Sequence, residues 1–275
     1  DHEENMIQDA IRLVKIKSVS QKGEGGYPYG TGCARVLDTA LEIAEKMGFQ
    51  VENDDYYCGA AYLRGKTDRQ LGIFGHLDIV PEGDLANWDF DPYDAVFKDG
   101  YILGRGSSDN KCPAVASLYA MKCIKDLGIP MNHTVLMYFG CEEEAGMSDI
   151  VHFLGHHEAP EFSFTSDGRY SLCYGEKGIL TAALTTDISG SNLLDLNGGQ
   201  ASNMVPDYAK AVLRGVSAQE LEVKAPTLKV TAREDGTVMV EAVGIAAHAA
   251  FPEGSESALQ KLAAALLAAG VLDGK

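Results

Sequence analysis

The residues Leu71-Gly72-Ile73-Phe74-Gly75-His76-Leu77-Asp78-Ile79-Val80-Pro81 carry the clearest structural signal in the chain. Their short apolar run is typical of a buried strand, which here ends at a histidine and a carboxylate two residues apart. Side chains at positions i and i+2 of an extended segment point to the same face, so His76 and Asp78 can contact the same object. One interpretation is a metal ion bound by His76, with Asp78 accepting the other ring proton. The alternative is a histidine that only hydrogen-bonds a neighbouring carboxylate.

The composition limits the classes of function. With 275 residues, 45% of them apolar, the chain can form one large or two ordinary domains. A formal net charge of −17 argues against nucleic acid or an anionic membrane as partner, and is compatible with cation binding. The six cysteines include no C-x-x-C pair, and no apolar run approaches the roughly 20 residues that cross a bilayer. We therefore expect a cytoplasmic protein.

Two further strands are predicted to deliver carboxylates at their ends. The apolar segment 134–139 precedes Glu142, Glu143 and Glu144, and the segment 162–166 precedes Asp167. Strands that alternate with helices predict an α/β sheet with parallel elements, whose ligands bind beyond the carboxyl ends of the strands. We therefore expect Glu143, Glu144 and Asp167 to meet His76. The alternative for the acidic run is a loop that opens the next helix, favoured by the helix dipole.

Other parts of the chain leave more than one interpretation open. Asp109 lies on a loop that enters a helix predicted from about Pro113 to Leu127, where a functional carboxylate and an N-cap are equally common. The helix after the acidic run carries three histidines that we interpret as surface residues: His152, His156 and His157. Further helices are predicted near 5–17 and 34–47. Beyond about residue 187, short strands near 208–214, 227–232 and 238–243 and a helix near 256–269 suggest a second α+β domain.

Six motifs occur in order along nearly the whole chain. They are GHLDIVP (75–81), GRGSSDNK (104–111), EEEAG (142–146), SDGRY (166–170), GGQASNMVP (198–206) and GIAAHAAFP (244–252). With them the chain resembles the co-catalytic zinc peptidases that include aminoacylase, carboxypeptidase G and dipeptidase V, and the dipeptidase V branch in particular. The resemblance implies a catalytic domain over residues 1–186, with a mixed sheet flanked by helices. It also implies a smaller α+β lid domain over residues 187–275.

The resemblance also implies a ligand set for two divalent metal ions, zinc first, with manganese or cobalt as alternatives. His76 and Asp167 would hold one ion, Asp109 would bridge both, and Glu144 would hold the other. The oxygen-rich set suits any of these three metals. Glu143 would be the general base that takes a proton from a water shared by the ions.

Three further roles follow from the same resemblance. Asp78 would lie behind His76, and the peptide between Asp109 and Asn110 would be cis. In the lid domain, His248 would polarise the scissile carbonyl and stabilise the oxyanion, and Asn203 would bind substrate. The expected activity is hydrolysis of dipeptides or other short peptides, whose open amino terminus would be recognised through acidic groups. N-acyl amino acid hydrolysis, or a metal-binding remnant without catalysis, are the alternatives.

The chain departs from the pattern of the resembling group in three places. Cys112 stands where a glycine is usual after GRGSSDNK, and the segment 252–258 lacks an asparagine often found there. Members of the group are also considerably longer and supply the last metal-binding histidine beyond the equivalent of Lys275. We therefore expect this chain to be a C-terminally incomplete fragment that binds at most one metal well and is inactive or weakly active, since a catalytic zinc typically has three protein ligands.

Overall fold

The computed structural model describes residues 2–83, 85–168, 172–175, 177–178, 180–199 and 203–272. It divides into two compact units, Asp1–Cys173 and Tyr174–Lys275, whereas the expected boundary lies later, between residues 186 and 187. Two of the six motifs are only partly covered, since five of their residues lie outside the described ranges: Arg169, Tyr170, Gln200, Ala201 and Ser202.

The first unit is built on a five-stranded mixed sheet. The strands of this unit are β1 (Gln50–Asp54), β2 (Cys58–Leu63), β3 (Thr67–His76), β4 (Val96–Lys98), β5 (Tyr101–Leu103), β6 (His133–Gly140) and β7 (Phe162–Thr165). The spatial order in the sheet is β1-β2-β6-β3-β7, and β4 with β5 forms a separate hairpin. Strand β3 runs parallel to both β6 and β7, while β2 is antiparallel to β1 and β6. The predicted α/β class, with parallel strands at its centre, is confirmed.

Helices cover both faces of this sheet. They are α1 (Glu3–Val14), α2 (Thr31–Lys46), α3 (Cys112–Asp126) and α4 (Ser148–His156). Helix α2 is followed by Gly48 and α3 by Gly128, and both glycines adopt positive φ, as expected where a helix ends. The helices predicted near 5–17, 34–47 and 113–127 are thereby confirmed, to within a few residues at their ends.

Alternate residues of β6 enter two different cores. Met137 and Phe139 join the large core that α1, α2 and α3 cover. Leu136 and Tyr138 pack on the opposite face, against Phe153 of α4. Strand β6 is therefore buried on both sides, as its continuous apolar sequence indicates. The short apolar strand predicted before Asp167 is present as β7, which lies at the edge of the sheet and exposes Phe162 and Phe164.

The second unit is an α+β arrangement with a four-stranded antiparallel sheet of order β11-β12-β10-β8. The elements are β8 (Leu193–Gly198), β9 (Met204–Val205), β10 (Tyr208–Leu213), α5 (Ala218–Lys224), β11 (Lys229–Ala232), β12 (Val238–Val243), β13 (Ala247–His248) and α6 (Ala258–Ala268). Its core joins inward residues of β10 and β12 with Leu262 and Leu266 of α6. The three predicted strands and the last helix are confirmed, while β8, β9, β13 and α5 were not predicted. Within the described part of the chain, no helix is both long and apolar enough to cross a bilayer.

Close backbone packing at the start of α2 gives a test of the fold. A Cβ atom at Gly32 would lie 2.2 Å from the backbone oxygen of Lys17. Gly32→Ala should therefore lower the free energy of unfolding by about 1–3 kcal/mol, the usual cost of overpacking. Denaturation in urea, followed by circular dichroism, measures the change.

The matched control is Gly155→Ala on α4, where an added Cβ meets no atom within 4 Å. This variant should leave stability unchanged or raise it by up to about 1 kcal/mol, because alanine favours a helix over glycine. Equal effects of the two substitutions would contradict the packing described for Gly32.

Candidate metal centre

Four segments that are distant in sequence meet at the imidazole of His76. The ring lies at the carboxyl end of β3 and is almost fully buried. Its Nε2 atom lies 2.9 Å from Asp109 Oδ1, 3.2 Å from Asp167 Oδ2 and 3.9 Å from Glu143 Oε2. Asp109 comes from the turn before α3, Glu143 from the turn after β6 and Asp167 from the residues after β7. Strand ends of the parallel part of the sheet thus bring these groups together.

Two groups of side chains in this cluster offer donor atoms within 4.8 Å of one another. One consists of His76, Asp109 and Glu144, and the other of His76, Glu143 and Asp167. The structure therefore places all the expected metal ligands at one site, together with the expected general base. The second group differs from the expected ligand set. Its third member, besides His76 and Asp167, is Glu143 and not the expected bridging residue Asp109.

Asp78 connects the end of β3 to the turn that carries Glu143 and Glu144. Its buried carboxylate accepts the backbone N–H groups of Glu143 and Glu144, at 3.1 Å each. His76 Nδ1 lies 3.0 Å from the Asp78 carbonyl oxygen and 3.3 Å from Oδ1 of the same residue. A carbonyl oxygen can only accept, so Nδ1 is assigned as the donor and Nε2 faces the other carboxylates. A cation that displaced the Nε2 proton would leave the ring in the tautomer that a metal-binding histidine needs.

Burial, hydrogen bonds to His76 and neighbouring charges shift the pKa values at this site. Burial lowers the pKa of His76, but hydrogen bonds to Asp109, Asp167 and Asp78 outweigh it and raise the pKa to about 12. Burial, and then the charge of Asp109, raise the pKa of Glu144 to about 7. Burial also raises the pKa of Glu143, whereas the hydrogen bond from His76 lowers that of Asp167. The acidic groups raise one another's proton affinity, which a bound cation would relieve.

The three consecutive glutamates have different partners. Glu142 is buried, accepts the backbone N–H of Ser148 at 3.0 Å and lies 3.0 Å from Lys22 Nζ. The interpretation of the acidic residues 142–144 as the opening of a helix therefore holds for Glu142, which accepts a backbone N–H from the first turn of α4. Glu143 and Glu144 turn toward His76 instead.

Asp109 does not cap the helix that follows it. Helix α3 begins at Cys112 without a side-chain capping bond, while Asp109 Oδ1 contacts His76. Of the two interpretations of this residue, the structure excludes the N-cap. The peptide between Asp109 and Asn110 is cis, as the resemblance implied.

Two buried residues support the site but were not singled out in the sequence. Lys111 is fully buried, its Nζ donates to the Ile16 carbonyl at 2.7 Å, and burial lowers its pKa to about 7. Asp149 accepts the backbone N–H groups of Cys141 and Glu142, at 2.7 and 3.1 Å. Two features of the sequence could have pointed to these residues. Lys111 lies inside the GRGSSDNK motif, and Asp149 lies in the first turn of a helix.

Asn203 and His248 belong to the second unit, where they are neighbours. The strands β9 and β13 pair there, and the Ala249 N–H donates to the Asn203 carbonyl at 2.7 Å. The Ala250 N–H donates to His248 Nδ1 at 3.1 Å, which leaves the proton of a neutral ring on Nε2. Both residues are exposed.

Comparison with known proteins gives the family. The profile described as "Peptidase family M20/M25/M40" matches residues 72–270. "Putative dipeptidase YtjP" of Bacillus subtilis (strain 168) is 33% identical over 264 residues, which cover 90% of this chain and 56% of that protein. "Putative dipeptidase SH1171" of Staphylococcus haemolyticus (strain JCSC1435) is 33% identical over 220 residues, which cover 77% of this chain and 46% of that protein.

A solved structure agrees with the fold. Human carnosine dipeptidase 1 matches with a TM-score of 0.51 and 23% identity, over 62% of this chain and 39% of that one. The mixed α/β fold is similar to that of M20 peptidase structures, and the chain belongs to peptidase family M20/M25/M40. The resemblance stated from the motifs is confirmed. The chain spans about half the length of the curated relatives it matches.

Replacing Asp78 tests the support of the site. Asp78→Asn presents an amide to the two N–H groups that now donate to the carboxylate, so at least one buried hydrogen bond is lost. We expect the free energy of unfolding to fall by about 1–3 kcal/mol. Asp68→Asn, an exposed change near the start of β3, is the control and should have no measurable effect. Equal stability of Asp78→Asn and the wild type would refute this role.

Glu144 should make stability pH-dependent when a chelator removes metal ions. Its pKa is about 7 in the folded chain against an ordinary value of 4.5, so between these pH values the folded state binds more protons than the unfolded state. The free energy of unfolding should therefore fall from pH 4.5 to pH 7 in the wild type, relative to Glu144→Gln. Urea titrations across this range measure the difference. Glu158→Gln, an exposed change, is the control and should follow the wild type. If the free energies of unfolding of wild type and Glu144→Gln differ by the same amount at every pH, the pKa of Glu144 is not raised.

Proposed function

We propose that the protein hydrolyses dipeptides or other short peptides with the help of two divalent metal ions. The observation that carries the proposal is the convergence of Asp109, Asp167, Glu143 and Glu144 on one buried imidazole, that of His76. Membership of a peptidase family and similarity to relatives named as dipeptidases support the reaction class.

The donor set fits divalent metal ions. His76, Asp109, Glu144 and Asp167 would hold them, and imidazole with carboxylate oxygens suits Zn²⁺ first, with Mn²⁺ or Co²⁺ as alternatives. Three carboxylates contribute a formal charge of about −3 against about +4 from two such ions. The bound ions would therefore relieve the repulsion between the carboxylates. When bound, the ions would polarise the scissile carbonyl and lower the pKa of the attacking water.

Glu143 is the proposed general base. It is half-buried beside His76, and burial raises its pKa, so that its carboxylate can accept a proton and release it again nearer neutral pH than an exposed glutamate. It would take a proton from the attacking water and pass it to the leaving amine. Asp78 holds the backbone of Glu143 and keeps the His76 ring in position.

Two residues of the second unit are proposed to act on the substrate. His248, with the proton of its neutral ring on Nε2, would donate a hydrogen bond to the oxyanion, and the neighbouring Asn203 would bind substrate. The amino terminus of the peptide would be attracted by acidic groups. The buried thiols of Cys33, Cys58 and Cys141 support the cytoplasm as the proposed compartment.

The test separates metal binding from catalysis. Purified protein loaded with Zn²⁺ or Mn²⁺ is assayed with a series of dipeptides and with N-acetyl amino acids, and its metal content is measured. Glu143→Gln should keep its metal content and lose about 10²- to 10⁴-fold in turnover, the usual contribution of a general base. Asp109→Asn should lose bound metal, while Glu158→Gln should behave as the wild type.

Each other outcome has a defined meaning. Turnover of N-acetyl amino acids without dipeptides would indicate an acyl amino acid hydrolase. Bound metal without turnover of either substrate class would fit a metal-binding remnant, and would equally fit the inactive or weakly active chain that the motifs predict. Full turnover of Glu143→Gln, or unchanged metal content of Asp109→Asn, would refute the proposed site itself.

A further inference from the structure

A second group of metal-binding side chains lies at the other edge of the first sheet. Asp54, the last residue of β1, faces three imidazole rings from the end of α4. Its Oδ1 lies 3.2 Å from His152 Nε2, and its Oδ2 lies 3.5 Å from His156 Nδ1 and 3.4 Å from His157 Nε2. Their positions in the sequence predict three surface histidines. That is right for His156, but His152 and His157 are half-buried.

The spacing along α4 explains why two of the rings meet one carboxylate. His152 and His156 are four residues apart, about one helical turn, so their side chains share a face of the helix. Phe153 is buried against Tyr138 of the sheet and fixes how α4 packs. This packing brings the histidine face beside the end of β1.

Stacking restrains two of the rings before any ligand binds. The imidazole of His152 is parallel to the ring of Tyr57, with 3.9 Å between centroids and 4° between planes. The His157 ring stacks on Phe153 at 4.4 Å. Rings held in this way lose little rotamer freedom on binding a cation, which favours affinity.

One oxygen of the carboxylate lacks a hydrogen bond. Asp54 Oδ2 is buried and accepts no hydrogen bond from the described part of the chain. A buried acceptor without a donor costs free energy, typically about 1–3 kcal/mol from mutational data. A cation between this oxygen and the neighbouring ring nitrogens would satisfy it.

We propose that Asp54, His152 and His156 form a further metal site, for a divalent transition ion of the zinc class. One donor atom from each residue lies within 4.8 Å of the others. Tetrahedral zinc with bonds of about 2.0–2.1 Å places neighbouring donors about 3.3 Å apart. The two rings approach different oxygens of Asp54 at distances of this order, His152 Nε2 at 3.2 Å from Oδ1 and His156 Nδ1 at 3.5 Å from Oδ2. Two imidazoles with one carboxylate suit Zn²⁺, Co²⁺, Ni²⁺ or Cu²⁺ better than Ca²⁺ or Mg²⁺. His157 is placed to complete the shell.

The site is separate from the cluster around His76. The strand registers place Asp54 opposite Cys58, Cys58 opposite Gly140 and Gly140 opposite His76. Three strand spacings separate Asp54 from His76, about 14 Å. An ion at Asp54 would join β1 to the end of α4, the helix that follows the turn of Glu143. Its effect would be to fix α4 rather than to act on substrate.

Zinc binding in a background that lacks the first site tests the proposal. Asp109→Asn combined with Asp167→Asn removes two ligands of the His76 cluster, and Zn²⁺ affinity is then measured by competition with a chromophoric chelator at pH 7.5. We expect one zinc per chain. Adding His156→Ala should weaken binding by at least about tenfold, because a direct ligand is lost. His156 is exposed, so its replacement should leave the circular dichroism spectrum unchanged.

The matched control is His133→Ala, an exposed histidine that belongs to neither cluster. It should not change the affinity for zinc. Asp54→Asn provides an independent variant and should weaken binding as His156→Ala does. The proposal is overturned if the background protein binds no zinc, or if His156→Ala and His133→Ala bind it equally. Either result would mean that Asp54 only forms ion pairs with the histidines.

Discussion

The carboxylate of Asp78 is the constraint on which the candidate centre depends. It is fully buried at the end of β3, and its two oxygens accept the backbone N–H groups of Glu143 and Glu144. The same residue faces Nδ1 of His76. One buried anion therefore fixes the end of one strand to the turn that follows its parallel neighbour, and it orients the imidazole between them. Without it, the acidic turn would have no defined position relative to His76.

Around this anchor the fold gathers more carboxylates than the single imidazole of His76 can neutralise. His76 is within 4 Å of Asp109, Asp167 and Glu143, and burial raises the pKa values of Glu143 and Glu144. The nearby Lys111 does not pair with them, because its Nζ donates to a backbone carbonyl. A stable protein accepts such crowding when the site serves a cation or catalysis. Strand β6, which is buried on both faces, and the hydrophobic cores on its two sides stabilise the fold. The crowded carboxylates of the candidate centre do not.

Much of the fold and of the candidate metal centre could be predicted from the sequence. Gly48 and Gly128 mark helix ends, and the rule that parallel strands bind ligands at their carboxyl ends predicted which acids would meet. The β1–β2 hairpin was not predicted, because its turn places Asp55 and Tyr56 at positive φ, where glycine or asparagine is the usual signal. The group at Asp54 was also missed. His152 is 98 residues away, and only the unpredicted β1 brings the two together.

Anomalous diffraction from crystals grown with zinc tests the central claim most directly. Data collected on both sides of the zinc edge locate the ions without reference to activity. We expect a peak about 2.0–2.2 Å from His76 Nε2 and from a carboxylate oxygen of Asp109 or Asp167. A map with no peak at His76, from protein that retains zinc in solution, would contradict it.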